Sequence, residues 1–398
     1  MSELVVRVYD VRFGDAVLVT IPDTENAQPV ERTILFDFGN ALGTAGGQDQ
    51  VLEPVIDDII ARLGGKPLDL YVMTHEHLDH VQGLFHASQT FNKSIKAKQV
   101  WLTGSADPAY YDDPNHRDAK KQRLAAIAAY GQAATRLRAL SARSTFANIL
   151  LANNDTRTTR LCVDFVRTQL TDPQNVHYVD RTTDVTTLQP ASSATITLWA
   201  PEENTADYYG RFKPLATGLG IDDVFDFDDL DGFQDDAEPP RPPAGVDAGA
   251  FYNLLDIRHG AAGTLLSIDQ ASNNTSIVML IEWQGWKLLF TGDAEKRSWR
   301  QMDKVGVIEP VHFLKVSHHG SHTGMPPEAI LEKLLPLPTP GATRPRAAVS
   351  TFPKTYSGVP HEDTRTELVK RVDLQSTRDL NPGELSLEIA FSSDGPVP

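Results

Sequence analysis

Residues 68–80 read LDLYVMTHEHLDH. The apolar run Leu68, Leu70, Tyr71, Val72, Met73 is too short for a helix core and reads as a buried strand ending near Thr74. An extended chain points alternate side chains the same way, so His75, His77 and Asp79 face one centre. His80 then falls at the start of the following helix. Three imidazoles and a carboxylate within the six residues 75–80 form a dense ligand set for Zn²⁺ or a similar ion. The chain has 12 histidines, and three more of them, His318, His319 and His322, crowd into 318–322. His86, His116 and His312 stand apart and read as surface or packing residues.

Strands and helices alternate on both sides of this segment. Residues 4–21 read as two extended runs around a Phe13-Gly14-Asp15 turn, and RTILFDF at 32–38 as a strand stopped by Gly39. Val51, Val55, Ile59 and Leu63 have helical spacing, with Gly64-Gly65 as the stop. Short strands are expected at 98–103 and 195–199. SIVMLIEW at 276–283 and WKLLFT at 286–291 are joined by Gln284-Gly285, which makes them a hairpin. The remainder predicts strands over 311–317, 347–351 and 385–391, with helices over 327–335 and 362–372. A β-rich stretch followed by helix in each half implies an α/β fold of two sheets with helices outside, a four-layer αββα sandwich. The organisation expected is one domain over 1–398 with two insertions: a mainly helical basic one at 104–190 and an acidic, Pro-rich loop at 203–250, expected to be mobile.

The 398 residues carry a net charge of −16, unevenly distributed. Residues 222–238 hold nine acidic residues and no basic one, whereas 117–143 hold seven basic and one acidic. An acidic total therefore does not exclude a polyanionic substrate. Within the basic stretch Leu124, Ile127, Gly131, Ala134 and Leu137 recur at helical spacing and read as a packing face. A single cysteine, Cys162, excludes an intramolecular disulfide framework and fits a reducing compartment; it reads as a small buried residue. No apolar run approaches the roughly 20 residues of a membrane helix, and Glu3, Arg7 and Asp10 interrupt any secretory leader. The expectation is a cytoplasmic protein. Neither a phosphate-binding GxxxxGK[ST] loop nor a GxGxxG fingerprint occurs.

His75-Glu76-His77-Leu78-Asp79-His80 resembles the signature of the metallo-β-lactamase fold hydrolases. Asp37 in FDFGN, Asp293 in LFTGD and the KVSHHGS segment at 315–321 resemble further marks of that family, in order. The resemblance spans roughly residues 4–391 around the two insertions. Phe13-Gly14-Asp15-Ala16, Asn273-Asn274-Thr275-Ser276, His318-His319-Gly320-Ser321, Tyr356 and His361 resemble one branch, the cytoplasmic hydrolase domain of the bacterial DNA-uptake channel protein ComEC. That resemblance implies a metallo-β-lactamase-like fold and one or two divalent ions, Zn²⁺ or Mn²⁺. It implies His75, His77, Asp79, His80, Asp293 and His318 as ligands, with Asp293 bridging and Asp79 and His80 at the catalytic centre. His318 is preferred to His319, which is open between binding an ion and supporting a ligand. Asp37 is open in the same way, with support favoured. The family's third histidine is expected near TITLWAP, where Ala200 and Pro201 stand; His177 and His259 lie in no matching motif.

The reaction implied is hydrolysis by a metal-activated water, with Asp79 orienting or deprotonating it. The substrate favoured is a phosphodiester of DNA or RNA. Lys120, Lys121 and Arg123 would follow the nucleic-acid backbone, and Asn274, Ser321 and His361 would contact phosphate. Two alternatives are a small-molecule hydrolase acting on a lactone, thioester or cyclic nucleotide, and a non-catalytic metal-binding scaffold, since one scaffold hosts many reactions. A protein partner is possible in principle, and no residue identifies one.

Overall fold

The computed structural model describes residues 3–40, 48–140, 151, 153–208, 268–339, 341, 343–351 and 359–396. The segment 222–238, most of the acidic insertion, Tyr356 and His259 lie outside them. The run at 68–73 forms β4 (Leu68–Met73), buried at every position. Such a strand needs cover on both faces, and its neighbours supply it. Around it lie β1 (Glu3–Tyr9), β2 (Val17–Glu25), β3 (Gln28–Phe36), β5 (Ala97–Thr103), β6 (Val176–Val179) and β13 (Ser386–Ser392). Among the described residues their order is β13-β1-β2-β3-β4-β5-β6. The first three pairings are antiparallel, and those from β3 to β6 are parallel.

The second sheet repeats this plan with β7 (Ala194–Ala200), β8 (Val278–Trp283), β9 (Trp286–Phe290), β10 (Phe313–Lys315), β11 (Arg346–Val349) and β12 (Asp373–Ser376). Its order is β12-β11-β10-β9-β8-β7, antiparallel from β7 to β9 and parallel from β9 to β12. The β8–β9 hairpin turns on Gln284 (φ 49°) and Gly285 (φ 81°), the two positive φ values of a type I′ turn.

Three apolar clusters separate four layers. Leu4, Val6, Val19, Ile34 and Val72 of one sheet meet Ile196, Met279, Ile281, Leu288 and Phe313 of the other, with Phe36 and Phe290 stacked at 4.4 Å. On the outer face of the first sheet pack α1 (Gln48–Leu63), α2 (Leu78–Phe91) and α4 (Thr156–Gln169), through Val55, Ile59, Val81, Leu84, Val163 and Val166. On the outer face of the second pack α5 (Lys296–Val305), α6 (Glu328–Leu334) and α7 (Glu362–Arg371), through Trp299, Met302, Leu331 and Leu368. The fold is the four-layer αββα metallo-β-lactamase-like sandwich that the sequence predicts.

The helix α3 (Arg117–Leu140) differs from expectation in its packed face. Leu124 and Ile127 are 59% and 45% exposed, while Ala119, Ala126 and Ala129 are buried. The small alanines face the protein and leave the larger apolar side chains outward, so the periodicity of the large residues points to the wrong side. The side chains of Ala134 and Leu137 lie outside the described ones. β6, within the predicted helical insertion, adds an edge strand by parallel pairing with β5.

Candidate metal centre

The strands β3, β4, β9 and β10 run parallel, so their C-terminal ends open on one rim, the usual position for a site in such sheets. Asp37 and Phe38 follow β3, His75 to His80 follow β4, Asp293 follows β9, and Ser317 to His319 follow β10. Residues 268–273, helical and just ahead of β8, bring Asp269 and Asn273 to the same rim.

Backbone contacts hold the histidine loop in place. Asp15 N donates to Asp79 O (3.0 Å), Phe38 N to His80 O (2.8 Å) and Gly83 N to Phe38 O (2.7 Å). A Cβ at Gly39 would lie 2.4 Å from the carbonyl carbon of Asp79, so FGN needs its glycine for this close approach. Across the sheets, Lys315 Nζ donates to Asp15 Oδ2 (2.7 Å), with both side chains 3% exposed. That buried pair ties the loop at residues 10–16 to β10.

The imidazoles are oriented from behind. Asp37, itself at φ 52°, accepts from Thr74 N (2.7 Å), Thr74 Oγ1 (2.6 Å) and His80 Nδ1 (2.8 Å). His319 Nδ1 donates to Ser350 O (3.0 Å). Both rings therefore carry their proton on Nδ1 and present Nε2 to the rim. His80 Nε2 lies 3.2 Å from Asp293 Oδ2, and His319 Nε2 lies 3.4 Å from Asp79 Oδ2 and 3.9 Å from Asp293 Oδ2. One donor atom each from Asp79, His80, Asp293 and His319 falls within 4.8 Å of the others, and all four residues are buried.

Four atoms of this cluster, Asp79 Oδ1, His80 Nε2, Asp293 Oδ1 and His319 Nε2, are buried without a hydrogen-bond partner among the described residues. An unpaired buried polar atom costs about 1–3 kcal/mol, more when charged, so four within one buried cluster call for a common occupant. Two imidazole nitrogens and two carboxylate oxygens fit a divalent cation. Without a cation, protons take over part of that role. Burial by itself would lower His80, but the carboxylates of Asp293, Asp37 and Asp79 outweigh it and hold His80 well above the usual imidazole range. Burial would raise Asp293, yet His80, His319 and His318 hold it well below the carboxylate range. His75 is pushed well down, by burial first and by the neighbouring imidazoles second.

His319, not the preferred His318, belongs to the four-residue cluster. The backbone is the reason. Both residues are left-handed (φ 46° and 53°), and this tight turn sends adjacent rings apart, with centroids 6.2 Å from one another. His318 Nδ1 faces Glu295 Oε1 (3.1 Å), and its Nε2 stays 4.0 Å from Asp293 Oδ2. His75 and His77 lie beside the cluster, with His75 Nε2 3.0 Å from His77 Nδ1.

The remaining candidates divide. Asn274 is buried with both polar atoms engaged: Oδ1 accepts from Ser298 N (2.9 Å) and Glu295 N (3.3 Å), and Nδ2 donates to Gln270 O (2.7 Å). It fastens the start of α5 rather than facing a ligand. Ser321 Oγ lies 2.9 Å from His318 Nδ1. His361 is the N-cap of α7 and packs against His322, with centroids 5.2 Å apart. Lys120 pairs with Asp112 (2.9 Å), Lys121 is exposed, and the Arg123 guanidinium sits 4.3 Å over the Tyr111 ring.

Asp269, Glu295 and Thr74 do not stand out in the sequence. Glu295 follows Asp293 by two residues, a signal of sorts; Asp269 lies in no motif and arrives only through the fold. A scan against protein-family models finds no match for this chain, and a comparison with curated proteins finds none either. A two-sheet sandwich with a buried His/Asp cluster at its rim is consistent with the metallo-hydrolase superfamily in general, and its donor set supports metal-dependent enzymatic chemistry.

Proposed function

We propose that this protein is a metal-dependent phosphodiesterase, a nuclease acting on DNA or RNA in the manner of the ComEC-like branch. The observation that carries the reading is the buried set Asp79, His80, Asp293 and His319, with one donor atom of each within 4.8 Å of the others and one atom of each without a hydrogen-bond partner among the described residues. These residues would hold a Zn²⁺ or Mn²⁺ ion. A divalent ion there supplies Lewis acidity toward a phosphoryl oxygen and lowers the pKa of water from 15.7 toward about 7.

The chain's own groups do the rest. Asp79 turns one oxygen toward His319 (3.4 Å) and the other toward His80 (4.0 Å), so one can bind the ion while the other orients the nucleophile and accepts its proton. Asp37 and the Ser350 carbonyl keep His80 and His319 in the tautomer that presents Nε2. Ser321 beside His318 offers a hydroxyl to a phosphate oxygen. Exposed Arg117 and Lys121 on α3 attract the polyanion, which favours a nucleic acid over a small neutral substrate.

The test is a panel of single-stranded DNA, double-stranded DNA, RNA and bis-p-nitrophenyl phosphate with Mn²⁺, Zn²⁺ or Mg²⁺. The Asp79→Ala, His80→Ala double variant is the control. Metal-dependent cleavage of a phosphodiester, lost in the control, is expected. Hydrolysis of lactones or thioesters alone would redirect the reading to a small-molecule hydrolase, and bound metal with no hydrolysis would make the protein a scaffold.

A further inference from the structure

Helix α3 has a face that the described residues leave open. Arg117, Lys121, Leu124 and Ile127 follow one another at spacings of three and four, so they share one side, opposite the buried Ala119, Ala126 and Ala129. All four are exposed. Lys120 lies on the same side but pairs with Asp112 (2.9 Å), whereas Arg117 and Lys121 make no ion pair with another described residue. The face therefore runs from two available cations to two large apolar side chains a turn further on. A phosphate backbone would use the cations and leave Leu124 and Ile127 in water. An occupant that uses the whole face needs acidic and apolar side chains in close alternation.

The chain itself contains such a segment. Residues 222–238 read DDVFDFDDLDGFQDDAE, nine acidic residues interleaved with Val224, Phe225, Phe227, Leu230 and Phe233 and no basic one. Solvated spacers are poor in aromatic residues, and alternation of acidic with apolar residues is a mark of segments that bind. The connection suits the same face. Ahead of this segment the described chain runs to Tyr208, and the turn Thr205–Asp207 just before it packs against α3. Asn204 Nδ2 donates to Asn115 O (3.3 Å) and Tyr110 OH to Thr205 Oγ1 (3.2 Å), which fixes that exit beside the start of α3. From Tyr208 to Asp222 the chain can span up to ~45 Å, while Arg117 to Ile127 covers only about 15 Å along the helix axis.

We propose that residues 222–238 dock on the Arg117, Lys121, Leu124 and Ile127 face of α3, with carboxylates on the two cations and phenylalanine side chains over Leu124 and Ile127. A segment tethered this closely acts at an effective concentration of about 1 mM. With an intrinsic dissociation constant of ~0.1 mM, it weakens the binding of any external polyanion to this face about 10-fold. Added salt loosens the charged half of the contact and leaves the apolar half in place. The docking stands whether or not the protein is a nuclease; only its consequence for a nucleic-acid substrate rests on that reading.

Photocrosslinking of the full chain tests the docking. With benzoylphenylalanine in place of Ile127, irradiation and peptide mapping should join position 127 to a residue within 222–238 of the same chain. A crosslink to a second copy, a crosslink to another segment, or none at all would overturn the proposal. Heparin, a polyanion that the protein need not hydrolyse, tests the competition. The triple variant Phe225→Ser, Phe227→Ser, Phe233→Ser keeps all nine carboxylates, so long-range repulsion of heparin is unchanged and only the apolar anchor is lost. Its heparin affinity at low salt should rise about 10-fold. In a chain already carrying Leu124→Ser and Ile127→Ser, the same triple substitution should change nothing. Equal affinity, or a rise that persists without Leu124 and Ile127, would refute the assignment of this face. Absence of phosphodiester cleavage would remove the nuclease reading and leave both measurements as they are.

Discussion

Replacing Asp37 by Asn isolates the support behind His80. Asn is nearly isosteric and among the few residues that tolerate the left-handed φ of 52°, so the backbone can stay where it is. What changes is acceptor capacity. The carboxylate accepts from Thr74 N, Thr74 Oγ1 and His80 Nδ1 at 2.6–2.8 Å. An amide has one acceptor oxygen, so its NH₂ group must meet at least one of these donors head on. A hydrogen bond to a charged group contributes about 1.5–3 kcal/mol, and the substitution should lower the stability of the metal-free protein by about that much. The ring of His80 loses the partner that fixes its tautomer, and loss of such a partner weakens metal binding about 10- to 100-fold, equivalent to about 1.4–2.7 kcal/mol. Competition with a fluorescent chelator for Zn²⁺ measures the affinity, and urea unfolding in the presence of a strong chelator measures the stability. Asp37→Ala should lose a further ~1–2 kcal/mol of stability from the left-handed backbone. Zn²⁺ affinity of Asp37→Asn within twofold of the unaltered protein would show that Asp37 does not orient His80, and the tautomer argument would fall with it.

Two further outcomes follow from burial. Lys315→Met leaves Asp15 charged and enclosed, so urea unfolding should show a loss of about 3–5 kcal/mol, partly restored when Asp15→Asn is added; a loss under ~1 kcal/mol would mean that the pair at 2.7 Å does not hold the loop at residues 10–16. Burial pushes the Cys162 thiol up to about 12, so a thiol reagent at neutral pH should find no reactive cysteine in the native protein and one after denaturation. Prompt labelling of the native chain would contradict the packing of α4 against α2.

Much of the αββα sandwich is legible before any coordinates, because burial on both faces and alternation along a strand are written in local spacing. The hydrophobic run before THEHLDH, the Gln284-Gly285 turn and the helices over 48–63 and 362–371 need only their own residues to be recognised. What escapes recognition is short or thinly apolar. β6 and β12 have four residues each, too few for a pattern, and α5 packs mainly through Trp299 and Met302 within an otherwise charged sequence. In α3 the signal misleads, since an alanine face can pack as well as a leucine face and carries less weight in a periodicity.

The sequence alone determined that imidazoles and carboxylates would gather after β4, because ligands two and three residues apart are brought together by the chain itself. Which of His318 and His319 joins Asp79 and Asp293 was beyond it: two identical side chains at adjacent positions are distinguished only by backbone dihedrals, which the surrounding packing sets. The same holds for Asp269 behind His77 and for Lys315 on Asp15, pairs separated by 192 and 300 residues. Contacts at that distance leave no local pattern to read, and only the stacking of the two sheets, driven by their shared apolar interior, brings them within reach.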